Sequence, residues 1–127
     1  MSEGVLLDTV TFVEYLQGTL PGSIRQTIEQ TERRSLSVIT PWEIQMKRTL
    51  RDRIRPVDIK TAIDKIGLDI RTILLDHLWF LWHMPHFPEH RDPFDRILIA
   101  QACSHNLTVI TRDRRFSLYP RLSLIEY

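Results

Sequence analysis

The chain has 127 residues, of which 43% are hydrophobic and 26% are charged, and its formal net charge is +1. These values suit one globular domain, residues 1–127, with a single core. The one cysteine, Cys103, excludes an internal disulfide and fits a cytoplasmic location. No run is long and apolar enough to span a membrane, and the short acidic N-terminus is unlike a signal peptide.

The first segments predict a strand followed by two helices. Residues 4–7 are apolar and predict a buried strand. Residues 10–17 then show helical periodicity, and Gly18 is expected to end that helix. Ser23 is expected to cap a polar helix that continues to about residue 32.

The next segments predict a second strand over residues 36–39 and a helix that follows it directly. Thr40 and Glu43 have the spacing of a capping box, and Pro41 suits the first helical position. The helix is therefore expected to run from this point to about residue 50.

The middle of the chain predicts two more helices and an edge strand. Pro56 opens an amphipathic helix that Gly67 ends, and residues 68–74 alternate apolar and polar, as in a half-exposed edge strand. Asp76 is expected to cap an aromatic helix. Its three large aromatic side chains are too close in sequence to face one core, so some must be exposed or in an interface: Trp79, Phe80 and Trp82.

The last third opens on a well-capped apolar helix. Asp92 suits the N-cap, Pro93 the first helical position, and Asp95 the third, near the positive end of the helix dipole. Asn106 is expected to stop this helix in a left-handed conformation. Residues 107–110 and 122–125 predict the fourth and fifth strands.

Strands that alternate with helices predict an α/β fold, with a parallel sheet and helices on both faces. Ligands of such sheets bind beyond the carboxyl ends of the strands. Three acids are expected there, because Asp8 and Asp113 follow predicted strands and Glu43 begins the helix after another. Topology does not place Asp95, because the start of a helix that precedes a strand normally lies at the opposite edge.

Clustered carboxylates repel one another unless a cation lies between them. Oxygen ligands without imidazole or thiolate favour Mg²⁺ or Mn²⁺, and such a site can activate water and neutralise a phosphoryl transition state. Three threonines adjoin these acids and either orient a carboxylate or serve as caps and strand ends: Thr9, Thr40 and Thr111. A zinc site at His83, His86 and His90 is disfavoured by the two prolines between them and by the absence of a cysteine among them.

Four parts of the sequence resemble PIN-domain ribonucleases, in the order found in that family. They are Leu6-Leu7-Asp8-Thr9, Trp42-Glu43-Ile44 with Lys47, the stretch from His90 to Arg96 followed by Ile99-Ala100-Gln101-Ala102, and Val109-Ile110-Thr111-Arg112-Asp113. The Asp-Pro-Phe-Asp-Arg form is similar to that of VapC-type toxins of bacterial toxin–antitoxin pairs.

The resemblance implies a three-layer sandwich around a central five-stranded parallel sheet. It also implies that Mg²⁺ or Mn²⁺ is bound by four acids, namely Asp8, Glu43, Asp95 and Asp113. Asp92 is interpreted as a cap rather than a fifth ligand, and Arg96 as a brace for the carboxylates. The implied activity is RNA cleavage to a 5′-phosphate and a 3′-hydroxyl, and the implied partners are a second copy of the chain and an antitoxin that covers the active site.

Basic residues near the acids are candidate contacts to the RNA backbone: Lys47, Arg112, Arg114 and Arg115. Solvated arginines on helices are the plainer interpretation for some of them. Two other functions stay open. One is a module that binds RNA or protein without cutting, and the other is an acid-cluster phosphatase or phospho-receiver. The receiver lacks the expected lysine, because Asp113 is followed by two arginines.

Overall fold

The structure, a computed structural model, describes residues 2–127 and contains one sheet of five parallel strands. The order across the sheet is β3-β2-β1-β4-β5. The strands are β1 (Val5–Leu7), β2 (Arg34–Ser37), β3 (Asp69–Arg71), β4 (Thr108–Thr111) and β5 (Ser123–Glu126). The predicted parallel sheet, with the third strand at an edge, is confirmed.

Helices connect all but the last pair of strands. They are α1 (Thr9–Gln17), α2 (Gly22–Gln30), α3 (Ile39–Met46), α4 (Arg48–Arg51), α5 (Pro56–Ile66), α6 (Leu75–His83) and α7 (Pro93–Ser104), and a 3-10 helix (Arg114–Leu118) precedes β5. Gly18 and Gly67 end α1 and α5 with φ of 72° and 70°. Asn106, at φ 54°, follows α7 as predicted.

Apolar side chains on both faces of the sheet create a three-layer sandwich. Val5 and Leu7 point to a core that contains side chains of α1, α2 and α5. Leu6, between them, points to the opposite core, which is filled by α7 and by Phe116 of the 3-10 helix. Because β1 and β4 are buried on both faces, β1 is wholly apolar and β4 has two consecutive apolar residues between buried threonines, as expected for central parallel strands.

The sheet has its topological switch point at β1. The chain adds β2 and β3 on one side of β1 and then returns to place β4 on the other side. Leu7 of β1 pairs with Ile110 of β4, and the Asp8 N–H donates to the Ile110 carbonyl at 3.2 Å. The carboxyl ends of β1 and β4 therefore lie side by side, where a ligand site is expected.

Several predicted strand boundaries were wrong: the edge strand spans residues 69–71 instead of 68–74, and the fourth and fifth strands each lie one residue later than predicted. The first two strands differ for local backbone reasons. The first strand begins at Val5 because Gly4 has φ 132°, a conformation that interrupts an extended chain. The second spans residues 34–37 instead of 36–39, because Val38 already has helical angles and α3 begins at Ile39.

Three predicted helix caps were also wrong. Since α3 begins at Ile39, Thr40 is inside the helix and cannot form the capping box with Glu43. Helix α2 begins at Gly22, after Pro21, so Ser23 is not its cap. Helix α6 begins at Leu75, one residue before Asp76, and the ring Nδ1 of His77 instead accepts the Leu74 N–H at 2.9 Å.

The aromatic helix α6 divides its large side chains between core and surface. Phe80 packs against the second core, whereas Trp79 and Trp82 are exposed. Within residues 2–127, no helix combines the length and the apolar run that crossing a bilayer requires.

Candidate active site

Asp8 lies at the carboxyl end of β1 and caps α1, a role that its position after a strand did not indicate. One carboxylate oxygen accepts the Thr11 N–H at 2.8 Å, and the other accepts the Thr111 hydroxyl. The side chain is buried, which raises the pKa of Asp8 to about 6, although the hydrogen bonds from Thr11 and Thr111 oppose this rise. Asp8 is thus rigidly oriented but costly to ionise in the metal-free protein.

Glu43 projects from the middle of α3 and is equally buried. Its Oε1 accepts the Thr9 hydroxyl, and its Oε2 accepts from the Lys47 ammonium at 2.6 Å. Burial raises the pKa of Glu43, and the bonds from Lys47 and Thr9 oppose that rise. Thr9 therefore orients a carboxylate, and Thr40 lies 3.5 Å from the Thr9 hydroxyl, behind the same contact.

Asp95 reaches the same edge of the sheet because residues 84–92 carry the chain back before α7 begins. Asp92 is the N-cap of α7, as predicted, and its Oδ1 accepts the Phe94 N–H at 2.9 Å and the Asp95 N–H at 3.4 Å. Its other oxygen is paired with Lys47. Asp92 is accordingly both a cap and a member of the acid cluster.

His90, which the sequence suggested only as the start of the family-like stretch and as a disfavoured zinc ligand, is hydrogen-bonded to Asp95. The imidazole is fully buried, and its Nε2 lies 2.8 Å from Oδ2 of Asp95. Its Nδ1 is also buried and has no hydrogen-bond partner among residues 2–127. A proton on Nδ1 would be an unsatisfied donor, so we assign the tautomer in which Nε2–H donates to Asp95.

Asp113 follows β4 and caps the 3-10 helix through the Arg115 N–H, at 3.0 Å. The Arg115 guanidinium also clamps both carboxylate oxygens, with Nε–Oδ1 2.9 Å and Nη2–Oδ2 2.6 Å. These contacts lower the pKa of Asp113. Thr111 accepts the Asp113 N–H at 3.0 Å, so the one hydroxyl links Asp113 to Asp8.

All four predicted acids, together with Asp92, line one cavity of about 280 Å³. Carboxylate oxygens of Glu43, Asp92 and Asp95 lie within 4.8 Å of one another. One carboxylate oxygen each of Asp95 and Asp113 and one ring nitrogen of His90 also lie within 4.8 Å of one another. These donors fit Mg²⁺ or Mn²⁺, because carboxylate oxygens predominate and the nearby imidazole is already bonded to Asp95.

The predicted basic residues divide between this cavity and the surrounding surface. Lys47, Arg112 and Arg115 line the cavity, whereas Arg114 is exposed on the 3-10 helix. Arg112 is paired with buried Glu14 at 3.2 Å. The pairing of Lys47 with Glu43 was detectable in the sequence, because residues four apart on a helix are neighbours.

Arg96 does not brace the carboxylates. Its guanidinium is buried and donates to the Pro85 carbonyl at 2.9 Å and to the Tyr119 hydroxyl at 3.2 Å. Arg96 therefore fixes the loop that precedes α7, which supports the site indirectly. Of the histidines considered for zinc, His83 contacts the Trp79 carbonyl and His90 contacts Asp95, and within residues 2–127 the three do not form a metal cluster.

Lys47→Met is expected to destabilise the metal-free protein by about 1–2 kcal/mol near neutral pH, because Glu43 would be buried without its cation. The value is reduced from that of a fully buried pair because Lys47 is partly exposed. Acid should remove the difference, because the pKa of Glu43 is already raised and protonation ends its need for a cation.

Urea unfolding in EDTA at several pH values measures this effect. The control is Arg48→Met, which removes a fully exposed pair with Asp52 and should cost less than about 0.5 kcal/mol. Equal stability of the Lys47 variant and the wild type at neutral pH would contradict the assigned role.

Fold and site together define an α/β protein with a carboxylate pocket at the switch point of a parallel sheet. A model of the PIN domain family matches residues 5–122. The chain therefore belongs to the PIN domain family. A search of curated proteins finds no match.

Solved structures of toxin–antitoxin complexes have a similar fold. A chain of VapBC2 from Rickettsia felis, bound to a promoter DNA fragment, superposes with a TM-score of 0.74 at 14% identity, covering 97% of this chain and 98% of that one. A chain of DNA-bound VapBC from Salmonella typhimurium superposes with a TM-score of 0.70 at 19% identity, covering 99% of this chain and 98% of that one. A chain of VapBC-5 from Mycobacterium tuberculosis superposes with a TM-score of 0.62 at 18% identity, covering 97% of this chain and 98% of that one.

Proposed function

We propose that this protein is a Mg²⁺- or Mn²⁺-dependent endoribonuclease and the toxin of a toxin–antitoxin pair. The observation that carries the proposal is the convergence of Asp8, Glu43, Asp95 and Asp113 from four distant segments on one cavity. Each acid has its own hydrogen-bond partners: Thr11 and Thr111 for Asp8, Thr9 and Lys47 for Glu43, His90 for Asp95, and Arg115 for Asp113. Family membership and the likeness to toxin–antitoxin structures support it.

The four acids, with Asp92 beside them, would hold the cation. A divalent cation supplies positive charge at phosphorus and makes water more acidic. In the hydrolysis, a water oxygen forms the new bond to phosphorus and the bond to the 3′ oxygen breaks. One carboxylate accepts a proton from the attacking water, and the departing 3′ oxygen takes a proton from solvent. The products are a 5′-phosphate and a 3′-hydroxyl.

Basic side chains around the cavity would hold the RNA backbone. Lys47, Arg112 and Arg115 line the cavity, and Arg114 lies beside them on the exposed surface. Cations at this rim would offset the repulsion between the phosphates and the acid cluster. Lys47 and Arg115 are paired with acids in the metal-free protein, so a bound cation would release them for this role.

Cleavage of cellular RNA by the purified protein tests the activity. Cleavage is expected with Mg²⁺ or Mn²⁺, should stop in EDTA and should return when the metal is restored. Sequencing of the new ends should find 5′-phosphates. Cleavage that persists in EDTA would contradict the metal dependence, and failure to cleave with either metal would favour a module that binds without cutting.

We also propose two protein partners, a second copy of the chain and a cognate antitoxin. Helix α6 exposes the apolar side chains of Leu75 and Leu78, which suit a contact between copies. Light scattering of the isolated protein measures the first partnership. Co-purification with the product of a neighbouring small gene measures the second, and a bound antitoxin should suppress RNA cleavage.

A further inference from the structure

A second and larger cavity lies on the other side of His90 from the carboxylate pocket. Its volume is about 810 Å³, within the range of ligand-binding pockets. Three parts of the chain form it: the end of α6, the loop before α7 and the start of α7. We call it the aromatic groove, and its principal side chains are Leu81, Trp82, His86, Phe87, Arg91 and Pro93.

The aromatic groove has the opposite charge to the carboxylate pocket. No Asp or Glu is among the lining residues in the described part of the chain, whereas the exposed Arg91 and the buried Arg96 are. Trp82 is 77% exposed, so most of its ring is uncovered. A planar, uncovered aromatic ring beside an exposed guanidinium is a combination with which proteins hold unpaired nucleotides, through base stacking and phosphate contacts.

One short segment, residues 90–93, contributes side chains to both cavities. His90 forms part of the groove wall and donates to Asp95 of the carboxylate pocket. Arg91 and Pro93 line the groove, and Asp92 between them lines the carboxylate pocket. The groove and the acid pocket therefore lie on either side of the same short segment, close enough for adjacent nucleotides of one RNA strand to contact both.

We propose that the aromatic groove binds an unpaired nucleotide of the RNA next to the cleaved phosphate, which deepens the proposed function and rests on it. Trp82 stacks on the base, and Arg91 binds a backbone phosphate. The acids themselves carry no information about base identity or pairing. The groove therefore makes the enzyme select single-stranded RNA.

The test is Trp82→Ala with Trp79→Ala as the matched control. Both tryptophans are exposed on α6, but Trp79 lies outside the groove. Binding of a labelled single-stranded RNA oligonucleotide is measured by anisotropy with Mg²⁺ present, in an Asp8→Asn background to prevent cleavage. Trp82→Ala should weaken binding by about tenfold or more, and Trp79→Ala should leave it unchanged.

Two further measurements identify the contacts. Replacing one nucleotide at a time by an abasic unit should locate a position at which Trp82→Ala has no additional effect, because its stacking partner is already missing. Arg91→Ala should reduce the slope of log affinity against log salt by about one, as expected for one lost phosphate contact.

Unchanged RNA binding by Trp82→Ala would overturn the proposal. If RNA binding is unchanged and the mass in light scattering is halved, Trp82 instead belongs to a contact between copies. If RNA binding is unchanged and antitoxin binding is lost, Trp82 instead belongs to a protein docking site. The proposed catalytic function fails separately. If the wild type cleaves no RNA with either metal, Trp82-dependent RNA binding would still support the groove as an RNA site.

Discussion

Asp8→Asn is expected to abolish metal-dependent RNA cleavage and, at the same time, to stabilise the metal-free fold. The amide removes a negative charge from the proposed cation site. Its oxygen can still accept the Thr11 N–H, because Asn and Asp are about equally good N-caps. The fold should therefore persist while the activity is lost.

The gain in stability follows from the pKa of Asp8, which burial raises from 3.8 to about 6 in the folded protein. Between these values the folded protein binds more protons than the unfolded chain, so its stability falls as the pH rises. Above pH 6 the ionised carboxylate costs about 3 kcal/mol, an upper value. The Asn variant avoids this cost, so its advantage should be largest at neutral pH and vanish near pH 4.

Urea unfolding of both proteins in EDTA, from pH 4 to neutrality, measures the stability effect, and RNA cleavage with Mg²⁺ measures the activity. Asp64→Asn, at an exposed position on α5, is the control and should change neither. If the Asn variant cleaves RNA at the wild-type rate, Asp8 is not part of the catalytic site. A variant less stable than the wild type at neutral pH would refute the cost assigned to its charge.

His90→Ala is expected to weaken Mn²⁺ binding by about ten- to a hundredfold, the usual effect of losing a hydrogen bond to a metal ligand. The imidazole fixes Oδ2 of Asp95, and without it the carboxylate can rotate away from the other acids. His90 also packs against Phe116 and Tyr119, so the alanine variant leaves a cavity. Thermal unfolding should accompany the binding measurement.

His90→Gln separates the hydrogen bond from the packing. Its side-chain amide can donate to Asp95 as Nε2–H does, so it should restore much of the Mn²⁺ affinity. Calorimetric titration with Mn²⁺ without RNA measures affinity independently of catalysis, and His86→Ala, in the exposed part of the same loop, is the control. Wild-type Mn²⁺ affinity in the alanine variant would show that His90 does not position Asp95.

The sequence predicted the sheet and three of the four acids because both depend on local patterns. Apolar runs mark buried strands, and a residue directly after such a strand must lie at its carboxyl end, as Asp8 and Asp113 do. The cap at Asp92 and Pro93 was equally local, and the structure confirms it. The capping box at Thr40 failed because it depends on the backbone of the preceding residues, which the Val38 angles changed.

Contacts between distant segments account for what the sequence did not reveal. The position of Asp95 depends on the path of the loop before α7, which no periodicity describes. Lys47 reaches Asp92 across 45 residues, and Thr111 reaches Asp8 across 103. His90 occupies a buried niche that only the packing of the 3-10 helix and the loop creates.

The assembly of the pocket from segments that span residues 8 to 113 also affects the synthesis of the protein. Strand β4 lies beside β1 in the sheet, yet it is made about a hundred residues later. A chain still being translated has Asp8, Glu43 and Asp95 but neither β4 nor Asp113, so its acids have no common cavity. The complete pocket can consequently form only after β4 has been made and has left the ribosome, which would delay the proposed RNA cleavage until then.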